Sequence, residues 1–345
     1  MENKTMPQRQ RPPFWLTSLD EIGEALGSLS NGSSRILGHS AGGRPIPIVE
    51  YGEREPLQGR ANYSSACGAG NPDYYADKSK RTKPVLLIVG GIHGGELEGI
   101  AGILNLIRVL ETGRDCRGVA WEHLHRNLGR FRLLLVPCAN PDGRARIPHD
   151  TMAGMSFEEL RYYVQGTWKD GTLCGWPDCK AVHPMLGHVD RLGGYFNDDG
   201  VNMMHDDFFT PMAEETKLLL RLAAEEAPDF TVQLHGGTNC VNQILNTAYV
   251  PAFIRERLQA FDERLAADCG RRGMRYVRTL MSDVSNGYPP PSFNLASAIH
   301  HACGGVSAVY ESNMALDYGD TVYSYDEMLD HHLVLFDNLF RFHAG

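Results

Sequence analysis

Long apolar runs are missing from this 345-residue chain. No stretch approaches the roughly 20 apolar residues that a membrane helix needs, and no apolar segment follows the polar, partly basic N-terminus, Met1 to Pro13. No membrane partner is expected, and the plain expectation is a cytoplasmic protein. Excess positive charge is missing as well: 33 Lys and Arg face 42 Asp and Glu, a formal charge of -9, with no basic stripe. A nucleic-acid partner needs such a footprint, so none is expected. Internal repeats and low-complexity tracts are also absent. The eight cysteines are scattered. Cys174 and Cys179, flanking Gly175-Trp176-Pro177-Asp178, have the spacing of a disulfide or a small metal clip. An inert, reduced pair is the favoured reading.

What remains is the composition of an ordinary globular protein, 42% apolar and 22% charged, with a pattern of alternating elements. Residues 1–32 read as a polar leader and a short helix near Leu19–Leu29. Arg35–Tyr51 reads as a hairpin split at Ala41-Gly42-Gly43, and residues 52–82 as a turn-rich surface excursion. Strands are expected at Val85–Val89, Phe131–Val136, Phe230–Leu234, Arg275–Leu280 and Val306–Tyr310. Helices are expected at about Glu96–Glu111, Ala213–Ala224, Ala252–Arg271, Leu295–Ala302 and Tyr325–Phe342. A long insert, about 144–210, interrupts them and carries a short helical piece near Phe157–Val164. Strands separated by helices imply an α/β fold with a mixed, largely parallel central sheet flanked by helices on both faces. One catalytic domain over 33–345 is expected, with the insert as a pocket wall or rim.

Ligands of open α/β sheets collect beyond the carboxyl ends of the strands. His93, the Asn140-Pro141-Asp142-Gly143 turn, His235 and Glu311 all fall immediately after expected strands. Taken singly, each has an ordinary explanation: a capping histidine, a tight turn, a first-turn acid favoured by the helix dipole. Together they are harder to dismiss. His93 and Glu96 stand three residues apart, and His235 adds a second imidazole. Two imidazoles and one carboxylate suit a zinc ion with an open coordination position. Glu311, the remaining strand-end carboxylate, suits a general base that takes a proton from water and delivers it to a leaving amine.

These residues resemble the zinc carboxypeptidase family. The resemblance is carried by His93-x-x-Glu96, Asn140-Pro141-Asp142-Gly143, His235 and Glu311, in the family's order. The segment Ser40-Ala41-Gly42-Gly43-Arg44-Pro45-Ile46 is also similar to the hairpin that opens the catalytic domain. The resemblance spans roughly residues 35–340 and implies one catalytic zinc ion and a peptide or amino-acid-derived substrate. The family's Gly-x-Asp-x-Asn-Arg segment, whose Asn and Arg grip a terminal carboxylate, corresponds here to Gly200-Val201-Asn202-Met203-Met204-His205. His205 replaces a guanidinium that an imidazole cannot imitate, so the substrate need not present an ordinary C-terminal carboxylate. For the family's oxyanion-holding arginine, Arg144 and Lys169 are candidates, with Arg146 and Arg191 beside them. Tyr288 is the candidate for its mobile tyrosine.

The leading expectation is a zinc-dependent hydrolase that cleaves an amide bond of a peptide or a modified amino acid. An N-acyl amino acid deacylase of the aspartoacylase or desuccinylase kind is the alternative enzyme. A non-catalytic metal-binding homologue is the alternative outside enzymes, and the presence of Glu311 speaks against it.

Overall fold

The computed structural model describes residues 10–280, 291–319 and 321–343. The described residues form nine strands: β1 (Ser33–His39), β2 (Pro45–Tyr51), β3 (Val85–Val89), β4 (Arg132–Val136), β5 (Gly166–Trp168), β6 (Val189–Leu192), β7 (Phe230–Gly236), β8 (Gln243–Leu245) and β9 (Val306–Ser312). Seven of them form one sheet in the order β1-β2-β4-β3-β7-β9-β8, and β5 and β6 form a separate ribbon within the insert.

The four middle strands, β4, β3, β7 and β9, run parallel. Parallel strands are covered on both faces, which is why Val85-Leu86-Leu87-Ile88-Val89 is an unbroken apolar run, every residue of it buried. The pleat sends alternate side chains to opposite layers. Leu86 and Ile88 join a core built with the helices Glu98–Thr112, Ala252–Arg271 and Tyr325–His343. Val85, Leu87 and Val89 join a second core with Glu214–Glu226 and Leu295–Cys303. Each such side chain removed from water contributes roughly 1.5–3 kcal/mol, so the two layers clamp the middle of the sheet and hold its strand ends in register. Antiparallel strands close both margins: β1 and β2 on one side, β8 on the other. The helix Leu19–Gly27 packs into the first core through Ile22, and Trp15 just before it is buried there too.

Arg132 is the charged exception at the start of a buried strand. Its guanidinium is met by Glu226 at 3.0 Å, Glu50 at 2.9 Å and the Gly52 carbonyl at 2.8 Å. A buried charge persists only where it is paired in this way.

Two expectations need correction. Arg275–Leu280 is not a strand: only Tyr276 makes a ladder contact, a single parallel bridge to Asn242. Its side chains are drawn instead to the helix Ala252–Arg271, the Tyr276 hydroxyl donating to Asp262 at 2.6 Å and Arg278 pairing with Asp262 at 2.8 Å. The sheet margin there belongs to β8, which pairs with β9. The helix after β3 begins at Glu98 rather than Glu96. Cys174 and Cys179 are free thiols, buried in a small cluster with Met185 and Phe196.

Candidate active site

Strands β3, β7 and β9 are neighbours and deliver their carboxyl ends to one edge of the sheet. After β3 the chain turns through Gly90-Gly91-Ile92 into His93, and the Glu96 amide donates to the His93 carbonyl at 3.0 Å. That turn aims both side chains back over the strand ends. His235 and Glu311 are carried by the strands themselves. β7 and β9 continue past their apolar runs, and His235 and Glu311 are direct cross-strand partners.

Three of these side chains converge. His93 Nδ1 lies 2.8 Å from one Glu96 oxygen and His235 Nδ1 lies 2.9 Å from the other. The two Nδ1 atoms are 3.2 Å apart. All three residues are buried and together form a group able to hold a metal ion. Burial opposes charge on every one of them. Even so, the two facing imidazoles hold Glu96 well below the usual carboxylate range. The imidazoles diverge: burial pushes His93 down, whereas Glu96 outweighs burial and pulls His235 up. Two imidazole nitrogens converging on the two oxygens of one carboxylate make a donor set that fits zinc.

Asn202 completes the support. Its Oδ1 lies 3.1 Å from His93 Nε2 and accepts the Met204 amide at 3.0 Å. An acceptor at Nε2 leaves Nδ1 as the free lone pair facing Glu96. His235 Nε2 is buried without a partner among the described residues. Tyr195 stacks flat on His93, with ring centroids 3.5 Å apart and planes 16° from parallel.

Close packing explains the motif glycines. A Cβ on Gly94 would stand 2.1 Å from the Arg144 amide, and one on Gly95 would stand 2.6 Å from a Val164 methyl. The Asn-Pro-Asp-Gly turn therefore packs against the His93–Glu96 loop from one side and the insert covers it from another. Within that turn, Asn140 caps the helix Pro141–Arg146, and Asp142 takes Ser40, Gly42 and Arg44 from the β1–β2 turn. Its role is to join segments.

Glu311 faces a cavity of about 790 Å³ that Glu96 and Tyr195 also line. Burial pushes Glu311 up to about 7, with His235 opposing that rise and Glu96 adding to it. Much of the wall comes from the insert: Phe157, Leu160, Arg161, Trp176 and Asp178. Thr238, Cys240 and Met314 belong to the sheet side.

The weaker candidates are placed elsewhere. Arg144 is buried, and its guanidinium is committed to the Thr17 and Ile147 carbonyls and to Asp150. Lys169 is exposed at the tip of the β5 hairpin and is not among the residues lining the cavity. Arg146 is spent on the Gly193 and Phe196 carbonyls and Asp198. His205 lies beside Ser292 at 3.3 Å, outside the cavity lining, and burial pushes it down to about 3, so it carries no charge at neutral pH. Tyr288 lies outside the described residues. Asn202, Tyr195 and Arg161 are the additions. Asn202 occupies the Asp position of the Gly-x-Asp segment and so carried a signal, whereas the approach of Arg161 and Tyr195 depends on the path of the insert.

Comparison with known proteins gives the family and the fold. The family model described as zinc carboxypeptidase matches residues 28–276. No curated protein matches the chain by sequence. Among solved structures, a metallo-carboxypeptidase from Burkholderia cenocepacia superposes with a TM-score of 0.60 at 15% identity, over 94% of this chain and 69% of that one. Carboxypeptidase A from Helicoverpa armigera gives 0.54 at 15% identity, over 99% and 76%. A metallo-carboxypeptidase from Pseudomonas aeruginosa, in complex with (2-guanidinoethylmercapto)succinic acid, gives 0.53 at 16% identity, over 93% and 66%. At such identities the likeness establishes the fold.

Proposed function

The chain belongs to the zinc carboxypeptidase family of metallopeptidases, and from that premise we propose that it hydrolyses an amide bond of a peptide or modified amino acid, with one zinc ion held by His93, Glu96 and His235 and with Glu311 as general base. The observation that carries this reading is the convergence of those three ligands beside Glu311 at the ends of three adjacent parallel strands. A zinc ion bound there supplies Lewis acidity, polarising the scissile carbonyl and making water a stronger nucleophile.

The protein's own groups do the rest. His93 and His235 present Nδ1, and Asn202 keeps the His93 proton on Nε2. Glu311 takes the proton from the attacking water on a carboxylate oxygen and passes it to the departing nitrogen. A carboxylate raised to about 7 is matched to both halves of that transfer near neutral pH. Tyr195 covers one face of His93 and keeps water from it. A cavity of about 790 Å³ accommodates a small peptide or a modified amino acid rather than a folded chain.

Replacing Glu311 by Gln keeps the side chain's shape and removes its proton acceptor. The expected result is a fall in kcat of about 100-fold or more, with zinc content unchanged. Full turnover by zinc-loaded Glu311→Gln would contradict the mechanism. In the same assay, release of a terminal residue marks peptidase action and release of a free acyl acid marks deacylation.

A further inference from the structure

The insert places one cation in the cavity wall. Among the described residues that line it, Arg161 is the only Lys or Arg, alongside the carboxylates Glu96, Asp178 and Glu311. It opens a wide turn, Arg161–Gln165, in which the Gly166 amide donates to the Arg161 carbonyl. Irregular turns of this width recur at functional sites. The turn is seated directly over the ligand loop: Val164 packs on Gly95, and the Tyr195 amide donates to the Val164 carbonyl at 2.7 Å.

The guanidinium itself is held in place by its surroundings. Its Nε donates to the Cys174 carbonyl at 2.9 Å and its Nη2 to the Leu173 carbonyl at 3.0 Å. Gly175 makes room for it, since a Cβ there would stand 2.6 Å from Nη2. Phe157 lies under it, 6.0 Å from ring centroid to Cζ. Both N–H groups of Nη1 are left without a protein acceptor among the described residues, and no carboxylate there lies within ion-pair distance of Arg161. A half-buried guanidinium met by neutral carbonyls has no counter-charge beside it among the described residues and is open to an anionic partner. Because its position is already fixed, a ligand need not supply the cost of ordering it.

We infer that Arg161 is a specificity-determining residue that anchors a carboxylate of the substrate in this cavity, from the insert side. The inference rests on the peptide-hydrolase reading for the nature of the substrate but not on the catalytic role of Glu311. An acidic group entering a cavity lined by Glu96, Asp178 and Glu311 needs a compensating cation, and among the described residues Arg161 is the one on its wall. The carboxylate can come from the end of a peptide or from an acidic side chain.

Equilibrium binding separates these cases without turnover. The probes are benzoyl-Gly-Phe, its C-terminal amide, and benzoyl-Gly-Asp amide, titrated into zinc-loaded Glu311→Gln protein with and without Arg161→Gln or Arg161→Lys. The expected result is that a carboxylate-bearing probe binds better than benzoyl-Gly-Phe amide by about tenfold or more. Arg161→Gln removes that preference and Arg161→Lys restores part of it. Preference for benzoyl-Gly-Phe assigns the anchor to a chain terminus, and preference for benzoyl-Gly-Asp amide assigns it to a side chain. A general loosening of the loop would weaken acid and amide alike, so the ratio reports the anchor. An unchanged ratio in Arg161→Gln, or no binding by either carboxylate probe, overturns the inference. Failure of the Glu311 mechanism shows instead as turnover by Glu311→Gln.

Discussion

At the scale of single residues, Asn202 shows how a neutral amide sets the chemistry of a neighbour. Its Oδ1 accepts from the Met204 amide, which fixes the carbonyl's direction, and the same oxygen faces His93 Nε2. The imidazole must then carry its proton on Nε2 and offer Nδ1. Loss of such an outer partner typically costs 10–100-fold in metal affinity. Asn202→Ala is therefore expected to weaken zinc binding by about tenfold or more in a competitive chelator titration, and an unchanged affinity would remove Asn202 from the centre. The candidate metal ligands, His93, Glu96 and His235, and the candidate base Glu311 stand out in the sequence because they follow expected strands, whereas Asn202 was not singled out although its place after Gly200-Val201 carried a signal. Arg161 carried none. Nothing near Glu159-Leu160-Arg161-Tyr162 marks a cavity-facing cation, because its exposure is decided by the Leu173–Gly175 backbone, which lies next to it only in the folded chain.

Among the elements, those that could be read from sequence owe it to burial on two faces. β3, and β4 after its opening Arg132, are written as apolar runs because helices cover both sides of them. The helix Ala252–Arg271 has the bounds its periodicity implies. Local preference failed where tertiary competition decided the outcome. Arg275–Leu280 has strand-forming residues, yet Asp262 captures Tyr276 and Arg278, and the three-residue β8 holds the margin of the sheet. A strand as short as Gln243-Ile244-Leu245 has too little pattern to register. The turn Arg161–Gln165 is another such case: it continues the helix Phe157–Leu160 with a wider hydrogen-bond spacing, as in its Gly166-to-Arg161 bond. The elements that carry the candidate ligands are thus the predictable ones, and those that shape the pocket are less so. This is the division expected when a rigid sheet holds the chemistry and loops hold the specificity.

For the molecule as a whole, the two cores also set its response to acid. His300, His331 and His332 are buried, and burial holds each down to about 4 from an ordinary value near 6.5. His300 and His332 lie against the Gly305 and Met328 carbonyls at 2.7 and 2.8 Å. Because their folded pKa values lie below the unfolded ones, the unfolded chain binds protons first. Their contribution is complete above about pH 6.5 and is lost as pH falls through about 4, at about 1.4 kcal/mol per unit for each group. Urea midpoints should therefore drop steeply between pH 6.5 and 4.5, whereas a flat profile over that interval would contradict the packing of these histidines. The central claim, that one zinc ion on His93, Glu96 and His235 makes the chain a hydrolase, also belongs to the whole molecule, since three strands must be in register for it to hold. The most direct measurement is a zinc titration of the chelated protein, reading bound metal and amide hydrolysis together, with His235→Ala alongside. Activity absent after chelation, restored in proportion to zinc up to one equivalent and lost with the metal in His235→Ala is the result predicted here. Hydrolysis that persists in the zinc-free protein, or zinc bound as tightly by His235→Ala, would contradict it.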